Sequence, residues 1–360
     1  MRSRCLFYTL LFLTVFGSVL IAQDKPDDVI RVDTALVNIP VIVSDRDNRY
    51  IPGLSPGNFK VLEDGVEQKI EVFSSDQAPM NIILAVDTSQ STKQVLGKIK
   101  KAAKEFIKGL DADDTCMIVT FDYQVNFLSE MTSDKKKLAK AINSVGIGKY
   151  VGTVLQDAVF AAVKNKMRSV KGRKALILLT DGKDHGSLMG KTDLNNQLNE
   201  SDTVIYPVFF ETDIIRRQRN RPMMRFPRGG GRFPGGMGRR GGMGRFPGRF
   251  PRDPFPDNRF PRNGRNFPGG YRPNAEEENG VAIAFLQHLA EITGGRFFNE
   301  KKADIRNAFL QIADEMKRQY LIGFYPIAES PGGTVHRIKV QVDRPGTVVR
   351  SKGAYRTQSR

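Results

Sequence analysis

Two uninterrupted apolar segments constrain the fold of this 360-residue chain more than any other feature. Residues 82–86 read Ile-Ile-Leu-Ala-Val, and residues 175–179 read Ala-Leu-Ile-Leu-Leu. Apolar runs of this length, without alternation, are typical of strands that are buried on both faces of a parallel sheet. Residues 92–110 instead show apolar positions at helical spacing. Strands that alternate with helices in this way predict a doubly wound, Rossmann-like α/β domain.

Segments that predict β structure flank this α/β region on both sides. Near the N-terminus, Asp64-Gly65 separates two strand-like runs, which is a strong hairpin signal. We therefore expect one small, discontinuous β-sandwich-like domain with the α/β domain inserted into it. The expected parts are a β-rich N-terminal segment at residues 28–78, the α/β domain at 79–326 and a C-terminal β segment at 327–360, of which residues 327–356 pair with the N-terminal segment.

A segment of biased composition, residues 216–273, interrupts the α/β region. It contains sixteen arginines and two aspartates, so it carries +14 of the net charge of +17. It also contains thirteen glycines and ten prolines, and the tripeptide Arg-Phe-Pro recurs five times. This low-complexity composition lacks the apolar content needed to offset an entropy cost of roughly 1–2 kcal/mol per ordered residue. We therefore expect a disordered insert within the α/β domain.

The N-terminus has the features of a secretory signal peptide. Arg2 and Arg4 precede an apolar stretch at residues 6–21, which is short for a membrane span. We expect a signal peptide at residues 1–22 and an exported protein, in the periplasm, on the cell surface or outside the cell. An uncleaved N-terminal anchor is the alternative. Removal of the signal would leave Cys116 as a single thiol, so we expect no internal disulfide.

Oxygen-bearing side chains follow both apolar strands, at the point where the chain leaves the predicted sheet. The sequence Asp-x-Ser-x-Ser, at residues 87–91, directly follows the first strand, and Thr-Asp-Gly, at residues 180–182, ends the second. Between them, Gly-Thr at residues 152–153 opens a predicted helix. Because ligands bind at the C-terminal ends of parallel strands, we expect these side chains to converge. The predicted metal ligands are Asp87, Ser89, Ser91, Thr153 and Asp181.

Two carboxylates and three hydroxyls are hard oxygen ligands, which suit Mg²⁺, Mn²⁺ or Ca²⁺. We expect a divalent cation at these residues, with Mg²⁺ preferred over Mn²⁺ and Ca²⁺. Such a donor set leaves a coordination position open or filled by water, which an acidic oxygen from a partner would complete. Each motif also has a purely structural interpretation, because Asp, Ser and Thr are common in turns and at helix N-caps. A cation that is held only for stability is a further alternative.

Taken together, these motifs resemble those of the von Willebrand factor type A domain. The resemblance covers residues 79–326 without the insert, and it includes the sequence Leu-Ala-x-Ile-Thr-Gly-Gly at residues 289–295. The flanking β segments further resemble the bacterial secreted subgroup of type A-related proteins. The resemblance implies a metal-ion-dependent adhesion site. In it, Ser89, Ser91 and Thr153 would touch the metal directly, and Asp87 and Asp181 would hold it wholly or partly through water.

The function implied by this resemblance is divalent-cation-dependent protein–protein binding or adhesion, with a protein partner that offers an acidic side chain. The alternative is a protein that binds polyanions or anionic membrane surfaces through residues 216–273, with the type A domain as a scaffold. The signal peptide argues against nucleic acid as the ligand. We expect no enzymatic activity, because no Ser/His/Asp or Cys/His arrangement is readable in the sequence.

Overall fold

The computed structural model of the protein describes residues 36–75, 78–212, 275–300, 304–326 and 330–357. The predicted signal peptide at 1–22 and the predicted insert at 216–273 lie outside these residues, as does the first part of the β-rich segment, 28–35. No helix within the described ranges has both the length and the apolar composition that a membrane-spanning helix needs.

Strands and helices alternate through the middle of the chain, and strands predominate at both ends of the described residues. The strands are β1 (Val37–Asp45), β2 (Phe59–Glu63), β3 (Val66–Gln68), β4 (Val72–Ser74), β5 (Met80–Asp87), β6 (Thr115–Phe121), β7 (Val125–Phe127), β8 (Arg173–Thr180), β9 (Val204–Phe210), β10 (Phe298–Glu300), β11 (Tyr320–Phe324), β12 (Val335–Val342), β13 (Thr347–Ser351) and β14 (Ala354–Arg356). The α-helices are α1 (Leu96–Gly109), α2 (Lys135–Ser144), α3 (Leu155–Phe160), α4 (Lys191–Asn199), α5 (Ala275–Thr293) and α6 (Ile305–Lys317), and a π-helix, Ala161–Met167, continues α3.

The central sheet has six strands in the order β10-β9-β8-β5-β6-β7, and all of its pairings are parallel except that of β6 with β7. Every residue of β8 is buried, including the apolar run at 175–179 that predicts a strand covered on both faces. Along β5, Ile82 and Leu84 pack with α1, α2 and α6, whereas Ile83 and Ala85 pack on the opposite face with α3, α4 and α5. Helices therefore cover both faces of the sheet, and the prediction of a doubly wound α/β fold is confirmed.

The remaining strands form two four-stranded sheets, in the orders β13-β1-β11-β4 and β14-β12-β2-β3. Strands from the two ends of the chain pair with each other, since β1 pairs antiparallel with β11 and β13, and β2 pairs antiparallel with β12. Ile39, Val41 and Ile322 of one sheet share an apolar core with Val61 and Val340 of the other. These sheets form the discontinuous sandwich into which the α/β fold is inserted.

Two local details differ from the sequence-based expectation. Strand β11 lies between β1 and β4, so residues 320–324 belong to the sandwich and not to the α/β domain as the range 79–326 implied. The predicted helix over 92–110 is divided into a short 3₁₀ turn at Gln90–Gln94 and the helix α1. The turn forms because Thr92 donates its amide at 3.1 Å and its hydroxyl at 2.9 Å to the Ser89 carbonyl.

Candidate functional site

The topology of the central sheet opens a crevice at the C-terminal ends of β5 and β8. Strand β5 has β6 on one side and β8 on the other, so the chain connections from these strands diverge. In open α/β sheets, ligands bind at such a switch point. Asp87 is the last residue of β5, and Asp181 follows Thr180, the last residue of β8. The fold thus brings the two carboxylate motifs to neighbouring strand ends.

Asp87 is fully buried, and both of its carboxylate oxygens accept hydrogen bonds. The Ser89 amide donates to Oδ1 at 2.9 Å, and the Thr180 hydroxyl donates to Oδ2 at 2.7 Å. The Thr180 hydroxyl in turn accepts a hydrogen bond from the Gly182 amide at 2.9 Å. This chain of hydrogen bonds orients the carboxylate and leaves further lone pairs on its oxygens for a cation.

The two serines of the first motif lie side by side. Their hydroxyl oxygens, Ser89 Oγ and Ser91 Oγ, are 2.9 Å apart. Ser89 is buried and Ser91 is half-buried. The loop is attached to β6, because the Thr88 amide donates to the Phe121 carbonyl at 2.8 Å. The structure therefore brings Asp87, Ser89 and Ser91 into one hydrogen-bonded group.

Asp181 is also buried and accepts hydrogen bonds from two neighbours. The Thr212 hydroxyl donates to its Oδ2 at 3.0 Å, and the Lys183 amide donates to its Oδ1 at 3.3 Å. Thr212 follows β9 and is the last described residue before the predicted insert. Within the described residues, neither Asp87 nor Asp181 forms an ion pair with a basic side chain.

The electrostatics of the two carboxylates are unfavourable in the protein alone. Burial, together with the negative charge of Asp181, raises the pKa of Asp87 to about 7, although hydrogen bonds from Ser89 and Thr180 oppose the shift. A divalent cation between such carboxylates would relieve both the burial of charge and the repulsion. The donor set therefore fits a hard cation.

Thr153 is placed differently from the other four predicted ligands. It is buried in the loop before α3, and its carbonyl accepts the His185 amide at 2.9 Å. At the other end of this loop, the Gly148 amide donates to the Thr88 carbonyl at 2.9 Å. The loop thus bridges the two strand-end motifs through its backbone. Among the described residues, the structure records no hydrogen bond between the Thr153 hydroxyl and the other predicted ligands.

The part of the chain that the structure describes contains no group of three or more His, Cys, Asp and Glu side chains that could hold a metal ion. A cation at the candidate site would therefore need hydroxyl ligands as well as carboxylates. Metal binding by the five predicted ligands stays a prediction. Asp87, Ser89 and Ser91 are in direct contact, and Asp181 and Thr153 lie on adjoining loops.

Sequence reasoning missed several residues of this region. The Thr180 hydroxyl orients the Asp87 carboxylate, and the Thr212 hydroxyl orients that of Asp181. Thr180 could have been predicted, because it directly precedes Asp181 in the sequence. Asp122 places a third buried carboxylate at the end of β6. A Cβ at Gly148 would lie 1.9 Å from its Oδ2, so the loop passes Asp122 only because residue 148 is glycine. No local pattern in the sequence indicates this contact.

A doubly wound sheet that is covered by helices on both faces defines a Rossmann-like fold. Residues 82–183 match the family model of the von Willebrand factor type A domain, and this range includes all five predicted ligands. The protein therefore contains a von Willebrand factor type A domain. The predicted bacterial secreted subgroup rests on the flanking β segments, which lie outside the matched range, and stays a prediction.

Several solved structures are similar to the chain. The conserved hypothetical protein BatB from Bacteroides thetaiotaomicron is 16% identical, over 66% of this chain and 98% of that one, with a TM-score of 0.41. An aerotolerance-related membrane protein from Bacteroides fragilis is 16% identical over the same shares, with a TM-score of 0.40. Proximal thread matrix protein 1 from the mussel byssus, with a zinc-occupied MIDAS motif, is 21% identical over 39% of this chain and 38% of that one, with a TM-score of 0.35. The comparison with curated proteins gave no match.

Proposed function

We propose that the protein is an exported binding module that holds a divalent cation and uses it to bind an acidic side chain of a protein partner. The observation that carries the proposal is the buried pair Asp87 and Asp181, which has hydroxyl groups beside it and no basic side chain paired with it among the described residues. Carboxylates buried without compensation are costly unless a cation or another positive group completes the site.

The roles of the individual residues follow from the family resemblance and from the local hydrogen bonds. Ser89, Ser91 and Thr153 would contact the cation, and Asp87 and Asp181 would hold it wholly or partly through water. The cation would supply a positive charge to which a partner carboxylate binds. Mg²⁺ is the preferred ion because it favours oxygen ligands and retains water, and Mn²⁺ and Ca²⁺ are the alternatives.

A binding role without catalysis agrees with the surroundings of the candidate nucleophiles and bases. His288 Nε2 lies 3.2 Å from Asn195 Oδ1, and His336 Nδ1 lies 2.8 Å from Asp64 Oδ2, so both histidines contact groups other than a nucleophile. Cys116 is buried in β6, and burial raises the pKa of its thiol to about 12. A buried thiol with such a pKa is a structural residue.

A second candidate function is binding of polyanions or anionic membrane surfaces through residues 216–273. The described residues on either side of this segment lie beside the candidate cation site, which favours this candidate. The chain enters the segment just after Thr212, which donates to Asp181. It leaves the segment into α5, where Ala282 packs against Gly182 so closely that a Cβ at Gly182 would lie 2.9 Å from the Ala282 Cβ. An attraction that rests on the charge of +14 should fall with rising salt.

Isothermal titration calorimetry with MgCl₂, MnCl₂ and CaCl₂ tests the proposed cation site in the full chain. We expect saturable binding of a divalent cation that Asp87→Ala abolishes. The matched control is Asp113→Ala, which removes an exposed aspartate next to β6 at the opposite end of the sheet and should leave binding unchanged. Equal cation binding by the protein and Asp87→Ala would contradict the site.

Deletion of residues 216–273 separates the two candidate functions. Co-sedimentation with phosphatidylglycerol vesicles measures surface binding, and calorimetry measures cation binding. Vesicle binding that the deletion removes and that EDTA leaves unchanged would favour the second candidate. Cation binding that survives the deletion would support a site formed by residues outside this segment.

A further inference from the structure

Large apolar side chains are exposed on the loops beside the candidate cation site. Tyr150 is 64% exposed and Val151 is 93% exposed, and both precede Thr153 in the loop before α3. Leu188 is 97% exposed and lies in the loop that follows Asp181. Val151 and Leu188 are the most exposed large hydrophobic residues in the described part of the chain. Apolar side chains that cluster on a surface mark interaction sites.

Tyr123 extends this group at the end of β6. Its ring packs edge-on against the ring of Tyr150, with centroids 5.0 Å apart. A Cβ at Gly152 would lie 3.4 Å from the Tyr123 Cβ, so Tyr123 lies directly beside the loop that carries Thr153. Two tyrosines that hold each other in place lose little side-chain entropy when a partner binds. We call Tyr123, Tyr150, Val151 and Leu188 the apolar rim.

The backbone beneath the apolar rim is anchored. The Leu188 and Met189 amides donate to the two oxygens of the Asp157 carboxylate, at 3.0 and 2.7 Å. The His185 amide donates to the Thr153 carbonyl, which joins the loop of Leu188 to the loop of Tyr150. Hydrogen bonds of the backbone therefore hold in place the loops that carry these exposed side chains.

The charges on this surface favour an acidic partner. Lys149 is exposed next to Tyr150, and Lys93 is exposed two residues after Ser91. Neither lysine forms an ion pair within the described residues. Their positive charges would add to that of a bound cation, and complementary charge gives both orientation and a faster encounter.

We propose that the apolar rim docks a protein segment in which an acidic side chain is flanked by large apolar, preferably aromatic, side chains. This inference rests on the proposed cation-dependent binding and specifies its partner. The acidic side chain would bind at the cation, and its apolar neighbours would pack on the apolar rim. Buried aromatic anchors commonly dominate the energetics of such interfaces.

Three fluorescein-labelled five-residue peptides test the docking surface with the full chain in MgCl₂, by fluorescence polarisation. The probes are Gly-Phe-Asp-Phe-Gly, Gly-Gly-Asp-Gly-Gly and Gly-Phe-Asn-Phe-Gly. We expect the first to bind at least about tenfold more tightly than the other two, since it alone offers both the carboxylate and the aromatic flanks. EDTA should abolish its binding.

Matched variants assign the effect to the apolar rim. Tyr150→Ser and Leu188→Ser should each weaken binding of the first peptide by about three- to tenfold. Tyr325→Ser, which changes a tyrosine that is 50% exposed after β11, should leave it unchanged.

The outcomes separate this inference from the proposed function. EDTA-sensitive binding of both aspartate peptides with equal affinity, unaffected by Tyr150→Ser, would overturn the docking surface and keep the cation-dependent function. Equal binding of the Asp and Asn peptides with phenylalanine flanks would overturn the inference, because the carboxylate would then play no part. Absence of binding by every aspartate peptide, in a protein that binds Mg²⁺ by calorimetry, would overturn both.

Discussion

Charged side chains are buried in two regions of the molecule, and the two regions compensate them differently. At the junction between the α/β domain and the sandwich, two buried charged side chains each have a counterion. Glu315 of α6 forms an ion pair with Arg350 of β13 and accepts a hydrogen bond from the Tyr50 hydroxyl at 3.1 Å. Lys174 of β8 forms an ion pair with Asp202, with 2.8 Å between Nζ and Oδ1. The charges of these two pairs are therefore compensated within the chain.

At the C-terminal edge of the parallel sheet, two buried charges have the same sign. Asp87 and Asp181 approach each other on neighbouring strand ends, and their positive counterpart is missing from the described residues. A compensated cluster stabilises one arrangement of the fold, whereas an uncompensated one gains most from a ligand of opposite charge. Burial of charge alone therefore does not mark a functional site, whereas the sign and the pairing of the neighbouring charges do.

The junction should respond most strongly to loss of one partner. We expect Glu315→Ala to lower the free energy of unfolding by about 3–5 kcal/mol, because it leaves the Arg350 charge without its counterion. Urea denaturation of the full chain measures this value. The control Glu291→Ala removes an exposed glutamate of α5 and should change it by about 0.5 kcal/mol or less. A similar loss in the two variants would show that the junction is not compensated as described.

At the sheet edge, removal of a charge should matter only when a cation is present. With Mg²⁺ at about 100 times its dissociation constant, binding should stabilise the protein by about 2.7 kcal/mol. We expect Asp87→Asn to lose this gain while its stability in EDTA stays within about 1 kcal/mol of the parent. Thermal unfolding with and without Mg²⁺ measures both. A large loss of stability of Asp87→Asn in EDTA would instead show that Asp87 stabilises the fold without a cation, as we expect of Glu315.

The loop that carries Thr153 should be sensitive to a single methyl group. Gly148→Ala places a Cβ against Asp122 and should cost about 1–2 kcal/mol of stability as the loop shifts. We expect a weaker affinity for Mg²⁺, measured by calorimetry, if Thr153 is a ligand. Gly146→Ala is the matched control, because nothing lies within 4 Å of its added Cβ. Unchanged Mg²⁺ affinity in a destabilised Gly148→Ala protein would argue against Thr153.

The junction should also impose a pH dependence through Lys352, whose ammonium donates to the Asn199 and Ser201 carbonyls at 3.0 and 2.9 Å. Burial lowers the pKa of Lys352 to about 8 from its ordinary value of 10.5. Between these values the unfolded chain binds more protons than the folded one. The contribution of this group to stability therefore rises with pH in that window, by at most about 1.4 kcal/mol per pH unit.

Lys352→Met should remove this rise, and the exposed control Lys339→Met should retain it. Urea denaturation between pH 7.5 and 10 measures the difference between each variant and the parent. Parallel pH profiles for all three proteins would show that Lys352 does not titrate in this range.

Much of the fold was predictable because its signals are local. A few consecutive residues predict a strand at 82–86 and a hairpin turn at Asp64-Gly65. Asp64 and Gly65 adopt the positive φ values of 47° and 91° that such a turn needs. Strand β11 was assigned to the wrong layer because it directly follows α6. Its place in the sandwich depends on pairing with β1 and β4, which lie far away in sequence.

The residues of the candidate site likewise divide into those that a local sequence pattern predicts and those that it does not. Asp87, Ser89 and Ser91 were recognisable because five consecutive residues carry them after one strand. Thr212 and the contact of Asp122 with Gly148 were not, because each depends on how separate loops meet. The exposed apolar rim was also invisible in the sequence, since exposure depends on which neighbours cover a side chain.

The sequence by itself therefore determined the alternation of elements, the strand-end motifs and the location of the positive charge in residues 216–273. These properties depend on the periodicity and composition of short segments. Only the tertiary structure decided which strand ends meet, that Asp87 and Asp181 are buried together, and that Glu315 pairs with Arg350 at the junction. Such properties depend on contacts between residues distant in sequence, and no local pattern records those contacts.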